Sequence, residues 1–288
     1  MGRFKKIAII GVGLIGGSIG LAAKKHGAAK KVVGIFRRRS TLNKALKRKA
    51  VDYATLNLRD GVRGADLIIL ATPVVSIPRI AEELIRCADR GAIITDAGST
   101  KEWLVSKIDN LALRRRDIFF VGSHPMAGSE MTGVEFSRPD LFDRASCIVT
   151  RSARTNAEAL AKVKAFWRSL GARVAEMSPR EHDKAVSFIS HLPHIVAFGL
   201  AGCVPKESLQ YAAEGFKDTT RIASSDPELW ADIFLTNRKE VLEALVKFVK
   251  ECKGFADILT RGDYAKLVKK LSASKAKRDA LAKYARRG

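Results

Sequence analysis

Short apolar runs ended by turn-forming residues recur along the first 177 positions of the chain. "KKIAII" reads as a buried strand, Gly11 to Gly16 as a turn, residues 14–26 as a helix and "KVVGIF" as the next strand. "DLIILATP", "GAIITDAG" and "DIFFVGSHP" repeat the theme, each preceded by helical sequence. That alternation predicts an α/β fold, a Rossmann-type doubly wound parallel sheet with helices on both faces. "SCIVT" and "RVAEM" predict two further strands flanking a helical stretch over 155–169.

After Met177 the β-type runs stop. "SPREHD" opens a helix with Ser178 as cap, Pro179 at the first position and Glu181 placed for a capping box. From there the period is helical, broken near Pro205 and restarted at Asp226 and Pro227 in "SSDPELW". The pattern therefore predicts a dinucleotide-binding domain over 1–177 and an all-α domain over 178–288. The last 25 residues carry nine Lys or Arg against one Asp and read as a basic, frayed helix with a solvated surface.

A chain of 288 residues with 47% hydrophobic positions is long enough for two domains, each with its own core. A formal net charge of +22 admits nucleic acid, an anionic membrane surface or small anionic ligands, and charge alone does not choose. Cys87, Cys147, Cys203 and Cys252 form no CxxC pair, which argues against a zinc knuckle and for a reduced, cytoplasmic chain. Residues 7–23 are uncharged and follow a basic start, as in a signal peptide, but five glycines weaken an apolar helix and suit a phosphate-binding turn. No other stretch reads as a membrane span of ~20 apolar residues.

Gly11, Gly13 and Gly16 follow a strand and open a helix whose first turn holds Leu14 and Ile15, the setting in which G-x-G-x-x-G binds a pyrophosphate. At the end of the second strand an NAD site normally carries Asp or Glu. Here stand Phe36, Arg37, Arg38, Arg39 and Ser40, with no acidic residue before Asp52. Guanidinium groups pair with phosphate, so NADP is favoured and NAD remains possible; the alternative is a solvated basic loop.

Ligands in such sheets bind beyond the carboxyl ends of the strands. "ATPVVSI", "DAGSTKEW" and "GSHPMAG" arrive there, so Ser99 and His124 can meet. His124 suits a general base and Ser99 a group holding a hydroxyl in line. Their bland alternatives are a loop histidine bonded to backbone and a cap for the helix in "STKEWL". His191 and His194 in "SHLPH" lack a third metal ligand at a supporting spacing, so no metal is expected. Lys217 and Arg221 are four apart, fit for a carboxylate or equally for a basic surface pair.

Taken together, "GVGLIGGSIG", "ATPV", "DAGSTK", "GSHPMAGSE", "EHD", "SHLPH" and "GFKDTTRIASSDPELW" closely resemble the prephenate and arogenate dehydrogenases of tyrosine biosynthesis, in order and spacing, from about residue 5 to 260. The resemblance implies a Rossmann-type domain, a helical dimerisation domain forming a homodimer, and a small-molecule substrate, without nucleic acid or membrane. It implies that His124 engages the ring hydroxyl and that Ser99 bonds that hydroxyl and the nicotinamide side. Arg221 matches the residue pairing with the ring carboxylate, and His194 and Lys217 match residues at the side-chain end. Glu130 and Asp183 match carboxylates of a network around the entrance, and Trp230 matches a residue reaching in from the partner subunit. Thr72 and Pro73 of "ATPV" fall on the cofactor side.

The reaction implied is oxidative decarboxylation of prephenate. Hydride loss, as His124 takes the hydroxyl proton, lets carbon dioxide leave and the ring become aromatic. Two departures stand out: Phe36 with its arginines replaces the acidic residue of NAD-using members, and Ser129 stands where threonine is common. The pattern also implies a bare catalytic unit, without mutase segment or regulatory domain. Prephenate and arogenate differ only at a pyruvyl or alanyl side chain, which the sequence does not separate. The rivals are a β-hydroxyacid or pyrroline-carboxylate type dehydrogenase, which lacks "GSHPMAGSE" and "SHLPH", and a basic phosphate-gripping module, for which no recognition motif is present.

Overall fold

The computed structural model describes residues 4–112, 115–129 and 131–285. The chain forms two compact units, Met1–Arg238 and Lys239–Gly288. The first opens with β1 (Phe4–Ile10), α1 (Leu14–Lys25), β2 (Ala29–Ile35), α2 (Arg39–Lys47), β3 (Tyr53–Thr55), α3 (Leu58–Val62) and β4 (Leu67–Leu70). It continues through α4 (Ile77–Cys87), β5 (Ile93–Asp96), α5 (Glu102–Ala112) and β6 (Phe119–Val121). These strands form one parallel sheet in the order β3-β2-β1-β4-β5-β6, the doubly wound arrangement expected.

Both faces of this sheet are covered, which is why its strands are apolar without alternation. Ile7, Ile9, Leu67 and Ile69 enter the core on one side, while Ala8, Ile10, Ile68 and Leu70 enter that on the other. Each such fully buried Leu or Ile contributes ~1.5–3 kcal/mol. The stretch weighed as a signal peptide is thus the central strand, the glycine turn and helix α1.

"DIFFVGSHP" is not one strand. After β6 the chain turns at Gly122 into β7 (Ser123–Pro125), which joins a second sheet with β8 (Ser146–Thr150) and β9 (Arg173–Met177), in the order β7-β8-β9. β7 runs antiparallel to β8, and His124 is paired with Ile148. A Cβ at position 122 would lie 2.5 Å from Thr150 Oγ1, so only glycine lets the chain pass between the sheets. Helix α6 (Ala157–Ser169) packs between β8 and β9 in sequence and buries Trp167 completely.

Helix α7 (Pro179–Val186) has the capping box of Ser178 and Glu181 with Pro179 in its first turn, as expected. It runs through a π turn at Ser187–His191 into α8 (Leu192–Cys203). Within the continuous helix Pro179–Cys203, of 25 residues, an 18-residue window has a mean hydropathy of 1.5, long and apolar enough by length and composition to cross a membrane. This corrects the expectation that no such stretch exists: the charged residues Arg180, Glu181, Asp183 and Lys184 all fall in the first turns, leaving an uncharged remainder. Helices α9 (Glu214–Thr220) and α10 (Pro227–Thr236) follow, the latter capped by Asp226. The compact unit continues past Met177 to Arg238 because α7 and α10 are hydrogen-bonded to the α/β part, through Asp183 to the start of α5 and through Thr236 to Thr100.

In the second unit, α11 (Arg238–Thr260) and α12 (Tyr264–Ala285) meet at Gly262. Lys270 reaches back to Glu251 at 2.6 Å and lies over the Phe255 ring. The basic end expected to fray is helical through Ala285.

Candidate active site

The glycine turn is built by contact. Gly11 has φ +89°, and a Cβ there would strike the Ala71 carbonyl at 2.6 Å, so the turn abuts the end of β4 and Thr72. A Cβ on Gly16 would lie 2.2 Å from the Gly11 carbonyl, whereas one on Gly13 would meet nothing within 4 Å. No side chain caps α1 at Gly13, and its first turn, with Leu14 and Ile15, holds no acidic residue. Open space before uncapped N–H groups fits a pyrophosphate. The Thr72 hydroxyl is 2.9 Å from Ser76 Oγ, and Pro73 is exposed beside it.

At the end of β2, Phe36 is buried in the core, its ring against Gly34, which is why no acidic side chain stands there. Arg37, Arg38, Arg39 and Ser40 are exposed around the start of α2. Asp52, the first acidic residue, is bound to Lys24 at 2.7 Å and to the Val32 N–H.

Beyond β5 lies a polar interior. Asp96 and Lys101 form an ion pair with neither side chain exposed. Lys101 also donates to the Thr100 carbonyl, and Asp96 accepts from the N–H groups of Gly98 and Ser123. The Ser123 hydroxyl is bonded to Thr95, to Trp167 Nε1 and to the Asp96 carbonyl. These bonds clamp β7 to the end of β5 and hold the residue next to His124.

His124 is 7% exposed, and its Nδ1 lies 2.8 Å from His182 Nε2. His182 Nδ1 in turn lies 2.7 Å from Asp183 Oδ1. The carboxylate can only accept, so His182 carries its proton on Nδ1; its Nε2 then accepts from His124 Nδ1–H. His124 Nε2 is left as a bare lone pair. Asp183 also accepts the Lys101 and Glu102 N–H groups, capping α5 from another element. The resemblance implied a place for Asp183 at the entrance; the structure buries it, at 1% exposure, because these donors draw it inward. Because Asp183 takes these N–H groups, Ser99, half-buried in the loop before α5, is not the cap.

Burial pushes the His124 and His182 imidazoles well below their ordinary range, and the charge of Lys101 lowers both further. Burial pushes the Asp183 carboxyl up, against the pull of the Glu102 and Lys101 N–H groups. The pair is thus a neutral imidazole bonded to a carboxylate.

His191 ends the π turn and His194 follows it in α8, which the extra residue rotates relative to α7. His194 Nδ1 donates to the Ser190 carbonyl at 3.0 Å, and its ring stacks on Trp230 with centroids 3.4 Å apart. Trp230, implied by the resemblance to reach in from a partner, is buried at 8% against this histidine of its own chain. Burial lowers the His194 pKa, and the nearby Arg221 charge lowers it further, so Arg221, at the end of α9, faces the same region. Lys217 is exposed and paired with Glu214 at 2.9 Å. Ser129 is exposed and accepts the Met131 N–H, and Glu130 lies outside the described residues. Among the described residues no cluster of three metal-ligating side chains occurs.

His182 and Asn237 are the residues that sequence reasoning passed over. His182 stands in the quoted "EHD", where a histidine beside an acidic residue was the available signal; Asn237 carries none.

Residues 19–176 match the family model for the nucleotide-binding domain of prephenate dehydrogenase, and 178–273 that for its dimerization domain. The prephenate dehydrogenase of Bacillus subtilis is 37% identical over 282 residues, covering 96% of this chain and 76% of that protein. The crystal structure of Aquifex aeolicus prephenate dehydrogenase with hydroxyphenyl propionate and NAD+ superposes with a TM-score of 0.89 at 34% identity, covering 96% and 98% of the two chains. Synechocystis arogenate dehydrogenase gives 0.80 at 29%, covering 96% and 99%.

Proposed function

The chain belongs to the prephenate dehydrogenase family, and from that we propose that it converts prephenate to 4-hydroxyphenylpyruvate by oxidative decarboxylation with a nicotinamide cofactor. The observation that carries the assignment of the base is the chain Asp183–His182–His124, which leaves His124 Nε2 unprotonated in a buried site.

His124 Nε2 takes the proton of the ring hydroxyl, with Ser99 holding that hydroxyl in line. Such a positioned base contributes ~10²- to 10⁴-fold in rate. Bound nicotinamide supplies the acceptor for the hydrogen and electron pair leaving the same carbon. Carbon dioxide then departs from the opposite ring carbon, and aromaticity drives the step, so the protein's work is positioning and polarisation. Arg221 pairs with the ring carboxylate; a tight grip there would oppose its loss, so this contact serves binding and orientation. His194, Lys217 and Trp230 line the side-chain end, with Ser129, Glu130 and Asp183 as the supporting polar set.

Gly11, Gly13, Leu14, Ile15 and Gly16 hold the pyrophosphate, with Thr72 and Pro73 beside it. Arg37, Arg38, Arg39 and Ser40 favour NADP, since a buried Phe36 offers the ribose hydroxyls no acceptor. Arg37→Ala with Arg38→Ala is expected to lower the NADP to NAD efficiency ratio; an unchanged ratio sinks the preference. The boundary between cofactor and helical domains is placed at about residue 177, and the helical part serves a homodimer. Four free cysteines support a cytoplasmic protein.

The test is reduced-nicotinamide absorbance in four mixtures, prephenate or arogenate with NADP+ or NAD+. Turnover abolished by His124→Ala supports the reading, and silence in all four from folded protein overturns it. The second reading, arogenate to tyrosine, is favoured by the likeness to an arogenate dehydrogenase.

A further inference from the structure

Among the described residues, one buried side-chain nitrogen or oxygen has no hydrogen-bond partner: His191 Nε2. The residue is 0% exposed. Its other ring nitrogen, Nδ1, lies 3.2 Å from Asn237 Nδ2, which also donates to the Asp183 carbonyl at 2.9 Å. The carbonyl can only accept, so the Asn237 amide is oriented with its NH2 toward both partners. His191 Nδ1 is therefore the acceptor, and the ring proton sits on Nε2. Burial pushes the pKa of this histidine down to about 4, so it stays neutral and its Nε2–H is a fixed donor.

An unmatched buried donor is costly, and leaving it unmatched against one ligand but not another is a means of discrimination. The His191 and Trp230 rings are inclined by 78° with centroids 6.1 Å apart, and the same indole stacks on His194. His191 thus stands behind the residue that the proposed function places at the side-chain end of the substrate. The two candidate substrates differ there in hydrogen-bond sense: a keto oxygen accepts, whereas an ammonium only donates.

We infer that His191 Nε2–H, held as a donor by Asn237, is the group that selects the pyruvyl side chain over the alanyl one. This rests on the dehydrogenase reading above. A pyruvyl keto oxygen supplies the acceptor that this Nε2–H lacks. An ammonium in that place leaves the donor unmatched and adds a second one facing it. His194 differs: it is half-buried, and its Nδ1 already donates to the Ser190 carbonyl.

The decisive experiment compares kcat/KM for prephenate and for arogenate in wild type, His191→Asn and His191→Gln. Asparagine retains an acceptor near Nδ1 for Asn237 but removes the donor; glutamine retains a donor near Nε2. Wild type is expected to prefer prephenate by at least about tenfold, His191→Asn to lose roughly tenfold of that ratio through KM for prephenate, and His191→Gln to recover part of it. The result that overturns the inference is a wild type active on prephenate whose ratio His191→Asn leaves unchanged; a wild type active on neither substrate overturns the dehydrogenase reading instead. If His191→Asn does not fold, nitrogen-edited NMR of histidine-labelled wild type without cofactor decides: prephenate should move the His191 Nε2–H resonance downfield, and an unmoved signal at saturation rejects the contact.

Discussion

His124 Nδ1 and His182 Nε2 lie 2.8 Å apart although 58 positions separate them, one on a strand of the second sheet and the other on a helix. The bond sets which nitrogen of His124 is bare. Without it, both tautomers of His124 are open, and the one with Nε2–H cannot act as base.

His182→Phe should therefore lower kcat by on the order of 10²-fold while KM changes little, because the loss falls on the proton transfer and not on binding. Steady-state kinetics read this directly; an unaltered kcat would remove His182 from the machinery.

The pH dependence follows from the same pair. Burial holds the folded His124 and His182 below the ordinary histidine value of 6.5, so both are neutral at pH 7. The acid limb of kcat/KM should accordingly fall below pH 6.5, with activity lost as protons bind. Stability moves in the same direction: the unfolded chain takes up protons near 6.5, before the folded one does, so stability is full above that pH and declines as pH falls. Thermal unfolding between pH 8 and 5 checks the sign, and a Tm that rises on acidification contradicts it.

The glycines of the turn should separate function from folding. Gly13→Ala meets open space, so Tm should hold while KM for the dinucleotide rises at least about tenfold, since the methyl occupies the approach of the pyrophosphate. Gly16→Ala drives a methyl into the Gly11 carbonyl and should lower Tm itself. Equal Tm losses in the two variants would contradict the packing described.

Lys101 and Asp96 are both fully buried, so breaking the pair strands a charge. Lys101→Met should cost ~3–5 kcal/mol, and adding Asp96→Asn should restore part of it. Urea denaturation of the two variants tests this; a double variant no more stable than the single one would show that the pair is not coupled.

Much of this protein was legible in the order of its residues. Apolar runs between turn-formers specified the parallel sheet because strands buried on both faces need no alternation, and Gly11 and Gly16 marked the turn because contact there tolerates no Cβ, with Gly13 leaving room for the pyrophosphate. Ser178, Pro179 and Glu181 announced helix α7, since capping is local. The relay was not legible. His182 meets His124 only because Gly122 turns the chain out of the first sheet and α7 returns across the end of α5, and neither event leaves a mark at the histidines themselves. His191 and Asn237, 46 positions apart, are joined in the same way. Local interactions are written in neighbouring residues; partners brought together by packing are decided by the whole fold, and here packing fixed the proton positions on which the chemistry depends.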